Sequence, residues 1–252
     1  MVSFSELQSA LIAGRPVEYQ CQTNLNLYDS PELKDLATQA VAGRQLRIVS
    51  LSDQAALEPQ DSLGAVQNST GAVKVCLCED DYPGWLPLED LDLLSVAEEN
   101  YRAIAISPSK IQARLPRVIT FARKAMTQPN HYLWGGTVGP NYDCSGLVQT
   151  AFAAVGIWLP RDAYQQEAFV QPIAVEELQP GDLVFFGSRD RCTHVGLYLG
   201  EEGYIHSSGK AIGRNGIGID PLSAEGGAIA EAYYHQLRGA GRVIASYKSP
   251  DT

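Results

Sequence analysis

The spacing of apolar residues changes once along this chain, and the change divides it into two kinds of packing. Between Val17 and Leu88 apolar residues come in short runs separated by turn residues: Val17–Cys21, Leu25–Tyr28, Leu46–Leu51, Val73–Leu77 and Gly84–Leu88. Such a series predicts short strands closing into a small β-barrel. From Ile111 to Thr127 the spacing becomes three and four, with Leu115, Val118, Ile119, Ala122 and Met126 on one stripe and Pro129 beyond it. That pattern predicts a helix with one buried face. A shorter amphipathic helix is expected over Ser3–Ala13, where Phe4, Leu7, Leu11 and Ile12 align and Gly14 ends the pattern. The polar, partly acidic stretch from Leu88 to Gln112, with Pro108 inside it, reads as the connection. The expected division is a β unit at residues 1–100, a linker at 101–111 and a second unit at 112–252.

Charge supports the division. Residues 1–100 carry 5 Lys/Arg against 16 Asp/Glu, whereas residues 101–252 carry 14 against 13. The net charge of −10 argues against a general nucleic-acid or anionic-membrane surface. Five cysteines cannot all pair within the chain, and its 45% hydrophobic residues supply a core without disulfide staples. The first residues, Met-Val-Ser-Phe-Ser-Glu-Leu-Gln, lack the basic and apolar regions of a signal peptide. No apolar run approaches the ~18 residues of a membrane span. A cytoplasmic protein with free thiols is therefore expected.

In the second unit a glycine-rich turn leads into a helix from Cys144 to about Val155, followed by strands at Leu183–Phe186, His194–Leu199, Gly203–Ser207 and Arg242–Tyr247. Helices first and an antiparallel sheet afterwards predict an α+β domain. The turn delivers Asp143-Cys144-Ser145-Gly146 to the start of the helix, so Cys144 falls in the first turn, where unpaired N–H groups and the macrodipole favour a thiolate. Asp143 opposes that effect, so a cationic partner is required. The plain alternative is that Cys144 is a small buried hydrophobe.

Two histidines strengthen the nucleophile reading. His194 begins His-Val-Gly-Leu-Tyr-Leu-Gly and His206 ends Gly-Tyr-Ile-His, with Gly200-Glu-Glu-Gly203 as a turn between them. A hairpin folded about Gly200 sets residue 194 opposite residue 206 on one face. One histidine can then act as general base to the thiol while the other holds its tautomer. Zinc is the rival chemistry, with Cys144, His194 and His206 as three ligands. Their spacing matches no compact zinc signature, and Cys76-x-Cys78 is not Cys-x-x-Cys. Ser107-Pro-Ser-Lys110 has the spacing of an acylating Ser-x-x-Lys but lies in the connection, and Gly203–Lys210 is one residue too long for a phosphate loop. His131, His235 and Cys192 read as structural.

Taken together, Tyr132-Leu-Trp-Gly-Gly, Asp143-Cys-Ser-Gly-Leu-Val148, His194-Val-Gly-Leu-Tyr-Leu-Gly200 and His206 resemble the NlpC-type cysteine peptidases of bacterial cell-wall metabolism. Leu159-Pro-Arg-Asp-Ala and Leu178-Gln-Pro-Gly-Asp-Leu-Val-Phe-Phe extend the resemblance over about residues 112–252. Upstream, Glu79-Asp-Asp-Tyr-Pro-Gly-Trp-Leu resembles the end of a bacterial SH3-like domain. The resemblance implies a papain-like α+β catalytic domain preceded by a small SH3-like β-barrel. It assigns Cys144 as nucleophile, His194 as base, His206 as its orienter and Tyr132 as an oxyanion donor beside the Cys144 backbone N–H. No cofactor is implied.

Within the family, the combination of domains is similar to the γ-D-glutamyl-L-diamino acid endopeptidases that recycle released wall peptides. That similarity implies hydrolysis of the γ-D-Glu–diamino acid bond in peptides with a free N-terminal L-Ala, with Asp143, Ser145 and Tyr82 lining the pocket for the amine. Tyr82 can equally be a turn aromatic packing on Trp85. The expected partners are murein peptides, with no nucleic acid or membrane, and the expected state is a monomer. Two other readings stand beside this one: a non-catalytic wall-binding scaffold, and an amidase or acyltransferase on the same fold.

Overall fold

Leu25 and Leu27 are buried while Asn26 between them is exposed, and the same alternation puts Val73, Val75 and Leu77 into one core. This period of two is what a half-buried strand imposes on its sequence. The computed structural model describes residue 7 and residues 17–52, 71–201 and 203–249. They form two units that divide between Arg102 and Ala103, with Ser249 grouping with the first.

Among the described residues the first unit holds seven strands, β1 (Glu18–Cys21), β2 (Leu25–Tyr28), β3 (Leu36–Ala40), β4 (Gln45–Leu51), β5 (Ala72–Leu77), β6 (Pro83–Pro87) and β7 (Leu94–Val96), in one sheet of order β3-β2-β6-β5-β4-β1-β7. The sequence shows five of them. β3 is missed because its inward residues are Thr38 and Ala40, which carry little apolar signal. β7 lies in the stretch read as the connection, yet it pairs with β1 through Tyr19↔Val96 and Cys21↔Leu94. A 3-10 turn over Leu88–Leu93 puts Leu88 and Leu91 into the same core, so this stretch is part of the sheet unit. The helix expected over 3–13 lies outside the described residues except for Leu7, which is buried in that core.

The second unit is α+β. It contains α1 (Pro108–Met126), α2 (Cys144–Ala153), α3 (Ala163–Phe169), β8 (Gln171–Ile173), β9 (Leu183–Gly187), β10 (Cys192–Gly200), β11 (Gly203–Ser208), β12 (Gly216–Asp220), α4 (Ala228–Tyr234) and β13 (Leu237–Arg242). Pro108 starts α1: a first-turn N–H has no partner in the helix, so proline loses nothing there. The antiparallel sheet runs β12-β11-β10-β9-β13-β8. One face packs on Ile111, Leu115 and Val118 of α1 and Val148 and Phe152 of α2, and the other buries Val184, Phe186 and Tyr204 against Tyr233 of α4. The strand expected over Arg242–Tyr247 is displaced towards the N-terminus. Glycine-rich Leu237–Arg242 forms the ladder instead, and beyond it the Tyr247 N–H bonds Trp158 O at 2.7 Å while Ser246 Oγ accepts from the Trp158 N–H at 2.9 Å. The segment thus forms a hydrogen-bonded tie, not a strand.

Candidate active site

The glycine-rich turn closes on itself before α2 begins. Tyr132 and Tyr142 form a parallel bridge, the Leu133 N–H reaches Tyr142 O at 3.3 Å, and the Asp143 N–H reaches Gly136 O at 3.2 Å. Gly146, in the first turn of α2, sits so close to Gly136 that a Cβ on it would collide with the Gly136 carbonyl. Glycine at 146 is therefore what lets the turn press against the helix start and hold Cys144 in place.

Asp143 is the N-cap of α2. Its Oδ1 accepts from the Gly146 N–H at 2.6 Å, and its Oδ2 from the Gly135 N–H at 2.9 Å. Arg161 supplies the cation that the sequence demanded: Nη2 lies 2.6 Å from Asp143 Oδ2, and Nη1 lies 3.1 Å from Oδ1 and 3.0 Å from Ser145 Oγ. Ser145 Oγ donates to Asp143 Oδ1 at 3.3 Å. A carboxylate offers about four lone-pair sites, so these contacts saturate Asp143, which is 6% exposed. The amine-pocket role implied by the resemblance thus meets a carboxylate whose hydrogen bonds are committed within its own unit.

Cys144 heads α2 and is buried, with its sulfur bonded by the backbone N–H groups of Ser145 and of Val195, the neighbour of His194. Burial first, and then the Asp143 charge, push the thiol up to about 12, against the pull of those N–H groups and of Arg161. The helix-start effect read from the sequence is present but does not win. The resting group is a neutral thiol that needs a base.

A histidine pair begins next to Val195, whose N–H bonds the Cys144 sulfur. His194 Nε2 lies 2.7 Å from His206 Nδ1, and His206 Nε2 lies 2.7 Å from Asp220 Oδ2. Burial alone would raise the Asp220 carboxyl, but the bond from His206 and the nearby Arg214 hold it below the ordinary value, so it is an acceptor only. His206 must then donate from Nε2 and accept at Nδ1, and His194 must donate from Nε2. The ring nitrogen left to take a proton is His194 Nδ1. Burial, and then His206, push His194 well below 6.5; burial also lowers His206, offset in part by Asp220. Both rings rest neutral. With both nitrogens engaged, His206 has no lone pair to give a metal ion.

The hairpin reaches this arrangement in a different register from the one expected. Leu197 pairs with Ile205 and Tyr198 with Tyr204, two residues out of step with a fold about Gly200, so the two histidines are diagonal neighbours, not directly opposed. An even displacement keeps side chains on the same face, whereas an odd one would have parted them. Diagonal pairs remain within reach of ring side chains.

Tyr233 stacks on His194 at 4.2 Å between centroids and 21° between planes, and its hydroxyl meets Ser208 Oγ at 2.7 Å. Tyr132 is half-buried, and burial, then Cys144 and Asp143, raise its hydroxyl above the usual phenol value, so it stays a proton donor. Cys144, His194, His206, Tyr132, Asp143 and Ser145 all lie in the second unit. Tyr82 belongs to the first, on the turn after β5 and packed against that unit's core. His131 and His235 are exposed, and Cys192 is buried. The sequence reading gave no role to Arg161, Asp220 or Tyr233. Asp220 had a signal: Gly216-Ile-Gly-Ile-Asp220 alternates like a strand and ends on a carboxylate.

Parts of both units match families of known proteins. The NlpC/P60 family profile matches residues 129–235, and the bacterial dipeptidyl-peptidase SH3 domain profile matches residues 61–91. A bifunctional muramidase/DL-endopeptidase of Bacillus subtilis is 42% identical over 99 residues, covering 38% of this chain and 30% of that protein. A gamma-D-glutamyl-L-lysine dipeptidyl-peptidase of Bacillus cereus is 34% identical over 116 residues, covering 45% of this chain and 32% of its own length. The chain thus spans about a third of the length of these relatives. Among solved structures, an NlpC/P60 family protein from Bacillus cereus is 22% identical with a TM-score of 0.46, covering 94% of this chain and 66% of that one.

Proposed function

Since the chain carries an NlpC/P60 family domain at residues 129–235, behind a bacterial dipeptidyl-peptidase SH3 domain, we propose that it is a cysteine peptidase that hydrolyses the γ-D-Glu–diamino acid bond of peptidoglycan stem peptides. The observation that carries the reading is the neutral thiol of Cys144 at the head of α2, beside a histidine pair whose only open ring nitrogen is His194 Nδ1. His194 takes the thiol proton as sulfur bonds to the γ-carbonyl carbon of D-Glu, and the carbonyl oxygen becomes an oxyanion. The Cys144 backbone N–H and the Tyr132 hydroxyl are the donors available to it. Collapse of the oxyanion breaks the C–N bond, and the proton on His194 goes to the leaving amine of the diamino acid. Water, deprotonated by His194, then cleaves the thioester and restores the thiol.

The finer part of the proposal is that the substrate is a released peptide with a free N-terminal L-Ala, and that the enzyme serves recycling in the cytoplasm. The names of the SH3 profile and of the Bacillus cereus relative support the amino-terminal preference, because a dipeptidyl-peptidase acts from an amino terminus.

The test is a mass-spectrometric assay on L-Ala-γ-D-Glu-meso-diaminopimelate beside its N-acetylated twin, with Cys144→Ala as control. Cleavage of the free-amine peptide alone, lost in the variant, is the expected result. Equal cleavage of both removes the amine preference and keeps the peptidase. Cleavage of neither rejects the peptidase in favour of a scaffold or an acyltransferase.

A further inference from the structure

Behind the histidine pair lies a charged group that the proposed reaction does not use. Asp220 closes β12, and Gly218, two residues earlier on the same face, is the register partner of His206. Arg214 enters from the loop before β12, where Asn215 takes a left-handed turn at φ 74°, and its Nη2 lies 2.5 Å from the same Asp220 Oδ2 that meets His206. The guanidinium occupies the space over Gly218 where a side chain would stand: a Cβ there would overlap Arg214 Nη1 and Cζ.

We propose that Asp220 and Arg214 are positioning residues for the His194–His206 pair. The Asp220 carboxylate locks the tautomer of His206, and Arg214 holds that carboxylate through the gap left by Gly218. This rests on the peptidase reading for its catalytic consequence but not for its physical content. The two charges act on the pair with opposite sign: an anion beside His206 favours protonation, and a cation behind it opposes protonation. The other groups facing His206 are His194 on β10, Tyr204 on its own strand and Tyr233 on α4. None of these rests charged, so Asp220 and Arg214 are the fixed charges that set the titration of the pair.

The experiment is an NMR titration of the histidine ring nitrogens in the full chain, without substrate, for the parent protein and for Asp220→Asn, Arg214→Gln and Gly218→Ala. In the parent, His206 should carry its ring proton on Nε2. Asp220→Asn should move the titration of the pair to lower pH. Arg214→Gln should move it to higher pH, and Gly218→Ala should do the same, because the new methyl displaces the guanidinium while leaving residue 214 unchanged. A structural role alone would not send these variants in opposite directions. The proposal is overturned by a proton on His206 Nδ1, or by midpoints that stay put or move together. If Asp220→Asn fails to fold, unmoved midpoints in the other two variants overturn it alone. With an active enzyme, Asp220→Asn should lower kcat by at least about tenfold with little change in KM, as loss of a tautomer lock does, and Asp220→Glu should restore part of it. Failure to cleave any peptide leaves the ring titrations readable, which separates this inference from the peptidase reading.

Discussion

The Arg161 guanidinium lies 2.6 Å from Asp143 Oδ2 beneath the first turn of α2, with both side chains almost fully buried. An anion is thereby tolerated next to the proposed nucleophile. Asp143 caps the helix that carries Cys144, and Arg161 compensates the charge of the cap. Removing one member of a buried pair leaves the other uncompensated, which costs about 3–5 kcal/mol. Arg161→Ala should therefore lower stability by about that amount in thermal melts, and should lower kcat/KM as the unpaired carboxylate opposes any charge on the sulfur. Arg161→Lys keeps the charge but loses the two-point fit, and should fall between. A fully active, fully stable Arg161→Ala would show that the pair holds nothing.

The pH behaviour follows from the resting protonation states. Burial holds the Cys144 thiol up at about 12 and His194 well below 6.5, so the neutral pair is the ground state at pH 7. No thiolate absorbance near 240 nm should disappear on Cys144→Ala at that pH. The acid limb of kcat/KM should lie below 6.5, because His194 has to be neutral to accept the proton. Stability has the same sign. The unfolded chain binds protons on these histidines first as pH falls past 6.5, so stability should fall from there towards the lower folded value. An acid limb above 7 would mean that the histidines rest charged, contrary to this picture.

Much of this site could be read in the chain because its parts are local. Cys144 follows a glycine-rich turn into a helix, and a short turn joins the two histidine strands. What escaped lies in pairings that cross the fold. Arg161 is 18 residues from Asp143 and Asp220 is 14 from His206, and neither partnership leaves a period in the sequence. Likewise β3 faces the core with threonine and alanine, and β13 is built on Gly239 and Gly241, so hydrophobic patterning passed over the one and misplaced the other. The hairpin register was off by two residues, yet the histidines still meet, because parity and not exact opposition decides the face.

Tyr233 supplies a plane for His194 and closes one side of the pair. Tyr233→Phe keeps the ring and loses only the bond to Ser208 Oγ, so activity should stay within a few-fold, about 1 kcal/mol in barrier terms. Tyr233→Leu removes the plane and should lower kcat more than it raises KM, because ring orientation and not substrate binding is disturbed. Steady-state kinetics on both variants decides it. Equal losses in the two would assign the effect to the hydroxyl.

In the first unit, Arg44 joins two carboxylates in a buried cluster: Nε lies 3.0 Å from Glu79 Oε2 and Nη2 lies 2.8 Å from Asp80 Oδ1, with Glu79 Oε1 accepting from the Gln45 N–H at 2.9 Å. The cluster fastens the turn after β5 to the start of β4, and the Tyr82 N–H bonds Asp80 Oδ1 at 3.3 Å on that turn. Burial raises the Glu79 carboxyl even with Arg44 beside it. Arg44→Ala should take a buried cation away from two buried acids and cost about 3–5 kcal/mol, the range for breaking a buried pair. Hydrogen exchange read by mass spectrometry should then show β4 and β5 amides opening about two to four orders of magnitude faster, if they exchange through unfolding of this sheet. Exchange at lower pH should narrow the gap between variant and parent, because protonated Glu79 no longer needs the cation. Unchanged protection in Arg44→Ala at neutral pH would show that the turn is held by its backbone alone.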